Sequence, residues 1–352
     1  MARNLYLDGT KLNRHLKEVV QWQEKKDFAP IHLEISVSNF CNQKCIFCYI
    51  DWQHGQVNMS EEMLVSLLID AKKAGVKSVL LAGEGEPTLN KAYIAGIKKA
   101  GEIELDIALN SNMVAVSQEE LYEILPHLSW LRCSVQAGDA KTYSQMHNTK
   151  EKDFEHAISN IQQAVDIKKE LNLDLKIGIQ QVLMQENIHS AYTLARLAQE
   201  VGVDYYVIKP CHPHELTKYK VGEDLVHRYT QILRQIEELS TPKFNAIIRW
   251  EFLNIKQRVY KKCLALPFIW QINATGDIYT CYPKANDKRH LYGSLKEQTF
   301  SEILASKRYK EVVSWVENNV DVTKCMLPCR HHNANDYLWW LTEEEPLHIN
   351  FI

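Results

Sequence analysis

The fold is decided by two neighbouring stretches, Ile31-His-Leu-Glu-Ile-Ser-Val37 and Cys41-Asn-Gln-Lys-Cys45-Ile-Phe-Cys48. The first alternates apolar and polar residues, which predicts a half-buried β-strand. The second places three thiols within eight residues, on the loop that leaves this strand. Three thiolates can hold three corners of an iron–sulfur cube and leave the fourth iron open to another ligand. Zinc is the alternative, because His54 could supply the fourth ligand that a closed zinc site needs.

Strand and helix patterns alternate six times from this stretch onward. Repeated units of this kind indicate parallel strands with helical crossovers, in either an open doubly wound sheet or a partial barrel. Both architectures collect ligands at the carboxyl ends of the strands, where the polar and cysteine motifs of this chain recur. The predicted strands cover 31–37, 77–82, 105–109, 130–136, 173–183 and 205–209, and the predicted helices cover 60–74, 91–99, 118–125, 154–171, 190–201 and 223–239.

The strand–helix pattern has a boundary at each end. Residues 1–30 are predicted to form a helical extension with one helix over 12–25, and residues 31–240 form the main α/β domain. After residue 240 the pattern changes to a hairpin of two strands turned by Thr275-Gly276-Asp277. We therefore predict a smaller C-terminal domain over 241–352, with strands over 266–273 and 277–281 and helices over 300–305, 309–318 and 334–341.

Composition and charge exclude several classes of protein. The chain has 352 residues, of which 45% are hydrophobic and 24% charged, which is typical of a globular protein and not of a disordered one. Its 41 basic and 44 acidic residues leave a formal charge of −3, which argues against partners such as nucleic acid or an anionic membrane. No apolar run reaches the ~18 residues of a membrane span and no secretory signal is present, so we expect a cytoplasmic protein. Nine cysteines, an odd number, argue against a closed disulfide framework and favour metal binding or catalysis.

The spacing of Cys41, Cys45 and Cys48 carries a family resemblance. With the aromatic Phe47 before the last cysteine and a strand before the first, it resembles the cluster motif of the radical S-adenosylmethionine (SAM) superfamily. The resemblance implies a partial (β/α)6 TIM-like barrel and a 4Fe–4S cluster whose open iron binds SAM. It also implies that an electron from a donor such as flavodoxin or ferredoxin cleaves SAM. The product is a 5′-deoxyadenosyl radical, which abstracts hydrogen from a substrate.

Further motifs follow the later strands in the order of that family. The segment Ala82-Gly-Glu-Gly-Glu-Pro87 resembles the glycine-rich stretch that receives the methionine amino group, since small residues let a ligand approach the backbone. The ends of the third and fourth strands lie where relatives contact the nucleoside or the methionyl carboxylate. The resemblance thus implies SAM contacts from Gly83, Glu84, Gly85, Glu86, Asn110, Ser111, Asn112, Ser134 and Gln136.

One element of the family pattern is missing. Relatives often carry an arginine shortly after the fourth strand, which pairs with the methionyl carboxylate. This chain has Met146-His-Asn-Thr-Lys150 in that region. His147 or Lys150 could take the place of the arginine, and the sequence leaves both open.

A second set of cysteines lies in the C-terminal region, and four thiolates could close a metal site completely. A turn at Gly276 would bring the first two of them together, while a structural zinc or unrelated buried thiols are the alternatives. The region resembles the SPASM/twitch extension of radical SAM enzymes. Four cysteines match its twitch form, which implies one auxiliary iron–sulfur cluster, of the 4Fe–4S type. The last pair is separated by three residues, where relatives often have two; the set is Cys263, Cys281, Cys325 and Cys329.

The two remaining cysteines differ in their surroundings. Cys133 lies within an apolar strand and is predicted to be a core residue. Cys211 follows Lys209-Pro210 at the end of the sixth strand, so it is a candidate donor of a hydrogen atom to a substrate radical. A semi-buried thiol without a chemical role is the alternative. Lys209 could bind a substrate phosphate or carboxylate, or form a salt bridge.

The predicted function is oxidation or epimerisation of a small polar, sugar-like molecule by a radical SAM oxidoreductase or epimerase. A radical SAM maturase of a ribosomally made peptide is the first alternative. We expect it less, because the thirty residues before the first strand are too few for the leader-binding domain usual in such maturases. A non-catalytic zinc-binding module is the second alternative.

Overall fold

The computed structural model describes residues 7, 9–211, 214, 216, 217, 219, 225–255, 257–343 and 347–351. Its strands are β1 His32–Ile35, β2 Ser78–Leu81, β3 Asp106–Ser111, β4 Trp130–Ser134, β5 Lys176–Leu183, β6 Tyr205–Pro210, β7 Asn245–Ile248, β8 Ile269–Ile272, β9 Asp277–Tyr279 and β10 Leu291–Ser294. They form one sheet in the order β10-β9-β8-β1-β2-β3-β4-β5-β6-β7. Every pairing from β8 to β7 in this order is parallel, and the pairs β8–β9 and β9–β10 are antiparallel.

Helices connect the parallel strands, and local signals set their ends. The helix over 61–74 begins at Ser60, whose Oγ accepts a hydrogen bond from Met63 N (3.1 Å), and ends at Gly75 with φ +111°. The helices are α1 Leu16–Gln23, α2 Glu61–Ala74, α3 Ala92–Glu102, α4 Gln118–Ile124, α5 Ala140–His147, α6 Lys152–Glu170, α7 Ala191–Val201, α8 Leu225–Glu237, α9 Trp250–Leu253, α10 Phe300–Ala305, α11 Lys307–Asn319 and α12 His332–Glu343. No helix in the described ranges combines the length and the apolar character that crossing a membrane requires.

Alternation along the strands separates an apolar face of the sheet from a polar face. In β1, Leu33 and Ile35 are fully buried in the main hydrophobic core, which also contains the buried residues of α2. Glu34 lies between them and faces the other way, where it accepts a hydrogen bond of 3.0 Å from Gln271 Nε2 in β8. We call the side of the sheet that carries Glu34, and the strand residues that alternate with the core in the same way, the inner face.

The six strand–helix units predicted from the sequence are all present, with bounds that shift by up to three residues. The α/β fold with a parallel sheet, the fold class of the predicted partial (β/α)6 barrel, is therefore confirmed. The structure also extends the sheet on both sides, because β7 pairs with β6 and β8 pairs with β1, each in parallel. The sheet continues across residue 240, so the boundary predicted there is not a break in the sheet, and the three domain ranges remain a prediction.

Several helices and strands differ from the prediction, and the short helix α9 and strand β10 were not predicted. The single helix expected over 12–25 divides at His15 into a 3-10 turn over Thr10–Arg14 and α1. Helix α5 was not predicted, although Asp139 caps it by accepting a hydrogen bond from Thr142 N (2.8 Å). Strand β7 was not predicted because it has only four residues and follows a proline turn that reads as the end of the repeating pattern.

Candidate active site

The first cysteine loop leaves β1 at the carboxyl edge of the sheet and rests on α5. Lys44 N and Ile46 N donate hydrogen bonds of 3.1 and 3.0 Å to the carbonyl oxygens of His147 and Met146. All three cysteines of the loop, Cys41, Cys45 and Cys48, are free thiols and partly accessible. Helix α5, which the sequence did not predict, therefore forms the floor under the loop.

A buried polar network holds the middle of this loop. His147 Nδ1 lies 2.7 Å from Gln43 Oε1 and 3.3 Å from Cys45 Sγ. A proton on Nδ1 serves both acceptors, because an amide oxygen can only accept. Gln43 Nε2 in turn donates to Tyr143 OH at 2.8 Å, and the Tyr143 ring stacks on His147 at 4.1 Å. His147 is thus placed behind Cys45, and Lys150, the other residue considered for the methionyl carboxylate, is exposed.

The three thiols of this loop suit a site in which metal ions are bound. Burial and the neighbouring Glu86 raise the pKa of Cys41 to about 12, and burial raises the pKa of Cys48 to about 11. The pKa of Cys45 is raised further by burial and by both other cysteines. Thiols that are close enough to repel one another as thiolates become stable ligands once metal ions supply the opposite charge. The donor set on this loop therefore fits a three-thiolate cluster.

His54, the possible fourth ligand of a zinc site, lies beside the three cysteines. Its Nε2 atom is 3.9 Å from Cys48 Sγ. Within the described residues, no three Cys, His, Asp or Glu side chains converge to hold a single metal ion.

The glycine-rich segment after β2 packs directly on the first cysteine loop. A Cβ atom at Gly85 would lie 2.3 Å from the carbonyl oxygen of Phe40, and Glu86 N donates a hydrogen bond of 2.9 Å to that same oxygen. Gly83 has φ +129°, and a Cβ atom there would lie 2.0 Å from Ser36 Oγ. Gly85 is therefore required by backbone contact, and Gly83 by its positive φ and by the Ser36 side chain. The segment forms a cradle beside the cysteines.

The two glutamates of the same segment are buried and hydrogen-bonded within the protein. Glu86 accepts hydrogen bonds from Thr88, from Ser111 Oγ (2.7 Å) and from Asn112 N (2.8 Å), so its carboxylate ties the end of β2 to the end of β3. Glu84 accepts one from Ala274 N at 2.8 Å, in the turn before β9. Burial raises the pKa of Glu84 to about 7 and also raises that of Glu86.

The remaining residues expected to contact SAM differ in whether their side chains are already hydrogen-bonded within the protein. Asn110 lies on the inner face, and its buried Oδ1 atom has no hydrogen-bond partner among the described residues. Ser134 is half-buried at the end of β4 on the same face. Gln136 is different, because its Oε1 accepts a hydrogen bond of 2.6 Å from Val182 N and so braces β5. An unpaired polar atom beside a glycine cradle fits a bound polar ligand such as SAM.

The thiols of the second cysteine set influence one another electrostatically. Burial and the three other thiols of the set raise the pKa of Cys263, and burial followed by Cys325 raises the pKa of Cys281 to about 12. Hydroxyl and amide groups point at the sulfur atoms: Asn335 Nδ2 lies 3.7 Å from Cys263 Sγ and Tyr260 OH lies 3.8 Å from Cys329 Sγ. Four thiols that lie close enough to affect one another's pKa, with polar neighbours, fit a closed four-thiolate cluster.

Cys211 lies in a small apolar cluster that includes the first cysteine loop. It is buried with Met146, Val182 and Met184, and Phe47 packs against the group. Burial raises its pKa to about 11, so at neutral pH it is a thiol. His212, which follows it, is outside the described residues. The other unassigned cysteine, Cys133, is fully buried in the main core.

A group of cations on the inner face was only partly anticipated. Arg132, Arg249 and Arg330 all act on Lys209, whose pKa is lowered to about 8 by burial and by these guanidinium groups. Sequence reasoning singled out Lys209 alone. The alternation of the strands was the available signal, because Arg132 alternates with the core residues Leu131 and Cys133.

Two family models match the chain. Residues 35–183 match the model of the radical SAM superfamily, and residues 263–331 match that of SPASM, an iron–sulfur cluster-binding domain. These ranges contain the first and the second cysteine set respectively, and 263–331 begins at Cys263.

Similar proteins are known by sequence and by structure. A probable GTP 3′,8-cyclase of Saccharolobus solfataricus is 26% identical over 217 residues, which cover 60% of this chain and 66% of the relative. A second, from Pyrococcus horikoshii, is 25% identical over 212 residues, and the chain thus spans slightly less than two thirds of these relatives. Among solved structures, Streptococcus suis SuiB bound to S-adenosylmethionine has a TM-score of 0.66 at 18% identity, covering 89% of this chain and 75% of that one. The protein anSMEcpe with bound AdoMet has a TM-score of 0.57 at 16% identity, covering 82% of this chain and 83% of the other.

Proposed function

Because this chain belongs to the radical SAM superfamily and carries a C-terminal SPASM-type iron–sulfur domain, we propose that it abstracts a hydrogen atom from a small polar substrate held against the inner face. Oxidation or epimerisation is the proposed outcome. One observation carries the proposal: the first cysteine loop, the glycine cradle and the polar ends of β3 and β4 meet at one edge of the sheet. In parallel α/β folds this carboxyl edge is where ligands bind.

The two cysteine sets are assigned to different clusters. When bound, a reduced 4Fe–4S cluster with SAM supplies the 5′-deoxyadenosyl radical that this chemistry needs. An electron donor such as flavodoxin or ferredoxin would serve the enzyme as its reductant. We assign the SAM-binding cluster to Cys41, Cys45 and Cys48, and an auxiliary 4Fe–4S cluster to Cys263, Cys281, Cys325 and Cys329.

The residues around these sets have three proposed roles: they contact SAM, hold the walls of the site in place and exclude water. Glu86 holds the ends of β2 and β3 together through Ser111 and Asn112, which fixes the wall beside the glycine cradle. Asn110 Oδ1 is the proposed polar contact to SAM, since it is buried without a partner among the described residues. The apolar group of Phe47, Met146 and Cys211 shields the site from water. Cys211 is the proposed donor that returns a hydrogen atom to the substrate.

The polarity of the inner face favours the proposal of a small polar substrate. Its strand residues include charged and amide side chains such as Glu34, Asn110 and Lys209, which suit hydrogen bonding to a polar molecule. The curated relatives are named for GTP, also a small polar molecule. A peptide is the second candidate, because solved structures with this fold include SuiB bound to the precursor peptide SuiA and anSMEcpe bound to the Cp18Cys peptide.

Anaerobic SAM cleavage tests the proposal. The reconstituted protein, reduced with dithionite, is expected to form 5′-deoxyadenosine, and the Cys41→Ala, Cys45→Ala, Cys48→Ala triple variant is expected to form none. Cys133→Ala is the matched control, since this thiol lies in the main core and belongs to neither set. Normal cleavage by the triple variant would overturn the assignment. Stimulation of cleavage by a panel of sugar nucleotides, but not by peptides, is the expected substrate pattern, and the reverse pattern would favour the peptide candidate.

A further inference from the structure

Three cationic side chains project from nearby strands onto the inner face. Arg132 in β4 and Lys209 in β6 each alternate with residues of the main core. Arg249 directly follows β7, and its N–H donates a hydrogen bond of 3.1 Å to Ile208 O. That bond continues the β6–β7 pairing and places Arg249 beside Lys209. Only β5 separates these residues from Arg132.

The strand between them is shaped to let Arg132 reach across. Gly178 in β5 pairs with Arg132 on one side and with Tyr205 on the other. A Cβ atom at Gly178 would lie 2.2 Å from the Tyr205 ring, so only glycine leaves room for that ring. Arg132 Nε donates to Tyr205 OH at 3.2 Å, and the guanidinium lies 4.5 Å from the centre of the Trp130 ring. These contacts orient Arg132 while using one of its five N–H donors.

The charge of this group is incompletely balanced within the protein. Arg249 Nε lies 3.5 Å from Glu251, and Arg330, the fourth cation that acts on Lys209, lies 2.5 Å from Glu34. Neither Lys209 nor Arg132 has a carboxylate within salt-bridge distance in the described part of the chain. Half-buried cations held close together repel one another, which costs stability unless an anion compensates them. An anion from outside the chain would remove this cost.

We propose that Lys209, Arg132 and Arg249 recognise an anionic group of the substrate, either a phosphate or a carboxylate. The inference deepens the proposed function and rests on it, because it concerns the substrate of the same inner face. Guanidinium forks pair with two oxygen atoms of such a group, and the lysine adds a compact positive charge. Arg330 is tied to Glu34 and contributes positive potential without contact.

Anion binding to the reconstituted holoenzyme tests the inference. Inorganic pyrophosphate and succinate are titrated separately by calorimetry, anaerobically and with SAM present. We expect one of them to bind at a single site, with at least tenfold weaker binding in the Lys209→Met, Arg132→Gln double variant. Lys209→Arg, which keeps the charge, should bind within threefold of the unchanged protein. Lys169→Met removes a charge from the exposed side of α6 and should change nothing.

The outcomes separate this inference from the proposed function. Preference for pyrophosphate identifies a phosphorylated substrate, and preference for succinate identifies a carboxylate. Binding that is equal in the double variant, or absent for both anions in the unchanged protein, would overturn the site. Lys209→Met and Arg132→Gln are also measured singly, so that a double variant that fails to fold still leaves two tests. 5′-Deoxyadenosine formation by the unchanged protein reports on the proposed function independently.

Discussion

Replacing Gly85 by alanine tests whether the glycine segment positions the first cysteine loop. The added Cβ atom would lie 2.3 Å from Phe40 O and 2.8 Å from Ser38 O. Contacts between carbon and carbonyl oxygen normally begin at about 3.3 Å. Both oxygen atoms belong to the backbone, so neither can rotate away as a side chain would. The loop that carries Cys41 must therefore retreat by about 1 Å, the difference between the 2.3 Å contact and the ordinary one.

This displacement should affect catalysis more than folding. Overpacking of this kind costs about 1–3 kcal/mol of stability, whereas a shift of 1 Å at reacting groups lowers a rate by about 100-fold. We expect Gly85→Ala to fold and to form 5′-deoxyadenosine about 100-fold more slowly, measured anaerobically by chromatography alongside iron content and thermal unfolding.

Gly202→Ala is the matched control for the Gly85 experiment. Gly202 ends α7 with φ +87°, and its nearest foreign atom would be 3.5 Å from a Cβ atom. Alanine there should cost about 1 kcal/mol of stability through backbone strain alone and leave the rate unchanged. A Gly85→Ala protein that cleaves SAM at the unmodified rate would show that the contact does not position the cysteines.

Two further predictions concern the other thiols. Replacing Cys263, Cys281, Cys325 and Cys329 by serine should remove about half of the bound iron while SAM still binds the first cluster, measured by iron analysis and by the SAM-dependent change in the paramagnetic resonance spectrum. Iron content that stays unchanged would mean that this set binds zinc or no metal. Cys211→Ala should abolish epimerisation, and the unmodified enzyme should incorporate solvent deuterium into product, because an S–H proton exchanges with water. Full activity of the variant together with deuterium-free product would leave oxidation as the outcome.

The parallel core of the fold could be predicted because its sequence signals are local. Each strand–helix unit has an apolar strand and a capped helix, such as the one between Ser60 and Gly75. What the sequence did not reveal was the extension of the sheet. The pairing of β8 with β1 joins residues more than 200 positions apart, and no local pattern encodes such a contact. Helix α5 was also missed, although its cap Asp139 is a local signal, and its last residue, His147, supports the cysteine loop.

The cysteine sets could be predicted because metal ligands recur at short spacings, but the role of neighbouring polar residues could not. Glu86 was expected to meet SAM, and in the structure its carboxylate accepts hydrogen bonds from Ser111 and Asn112. Whether it also contacts SAM remains a prediction. The cation group around Lys209 escaped detection since Arg132 and Arg249 are far from it in sequence, and only register and strand alternation bring them to one face.

The two cysteine sets are mechanically linked, which affects how the loss of either one is interpreted. Tyr282 follows Cys281 and its hydroxyl accepts a hydrogen bond from Ser36 Oγ at 3.0 Å, while Ser36 Oγ accepts one from Glu84 N at 2.9 Å. The second set is thereby anchored to the glycine segment that packs on the first. Slower SAM cleavage in the four-serine variant therefore has a structural cause, a displaced cradle, even though the first set is unchanged. Ser36→Ala cuts this link and leaves both cysteine sets unchanged, so it should slow 5′-deoxyadenosine formation if the anchored cradle positions the first set.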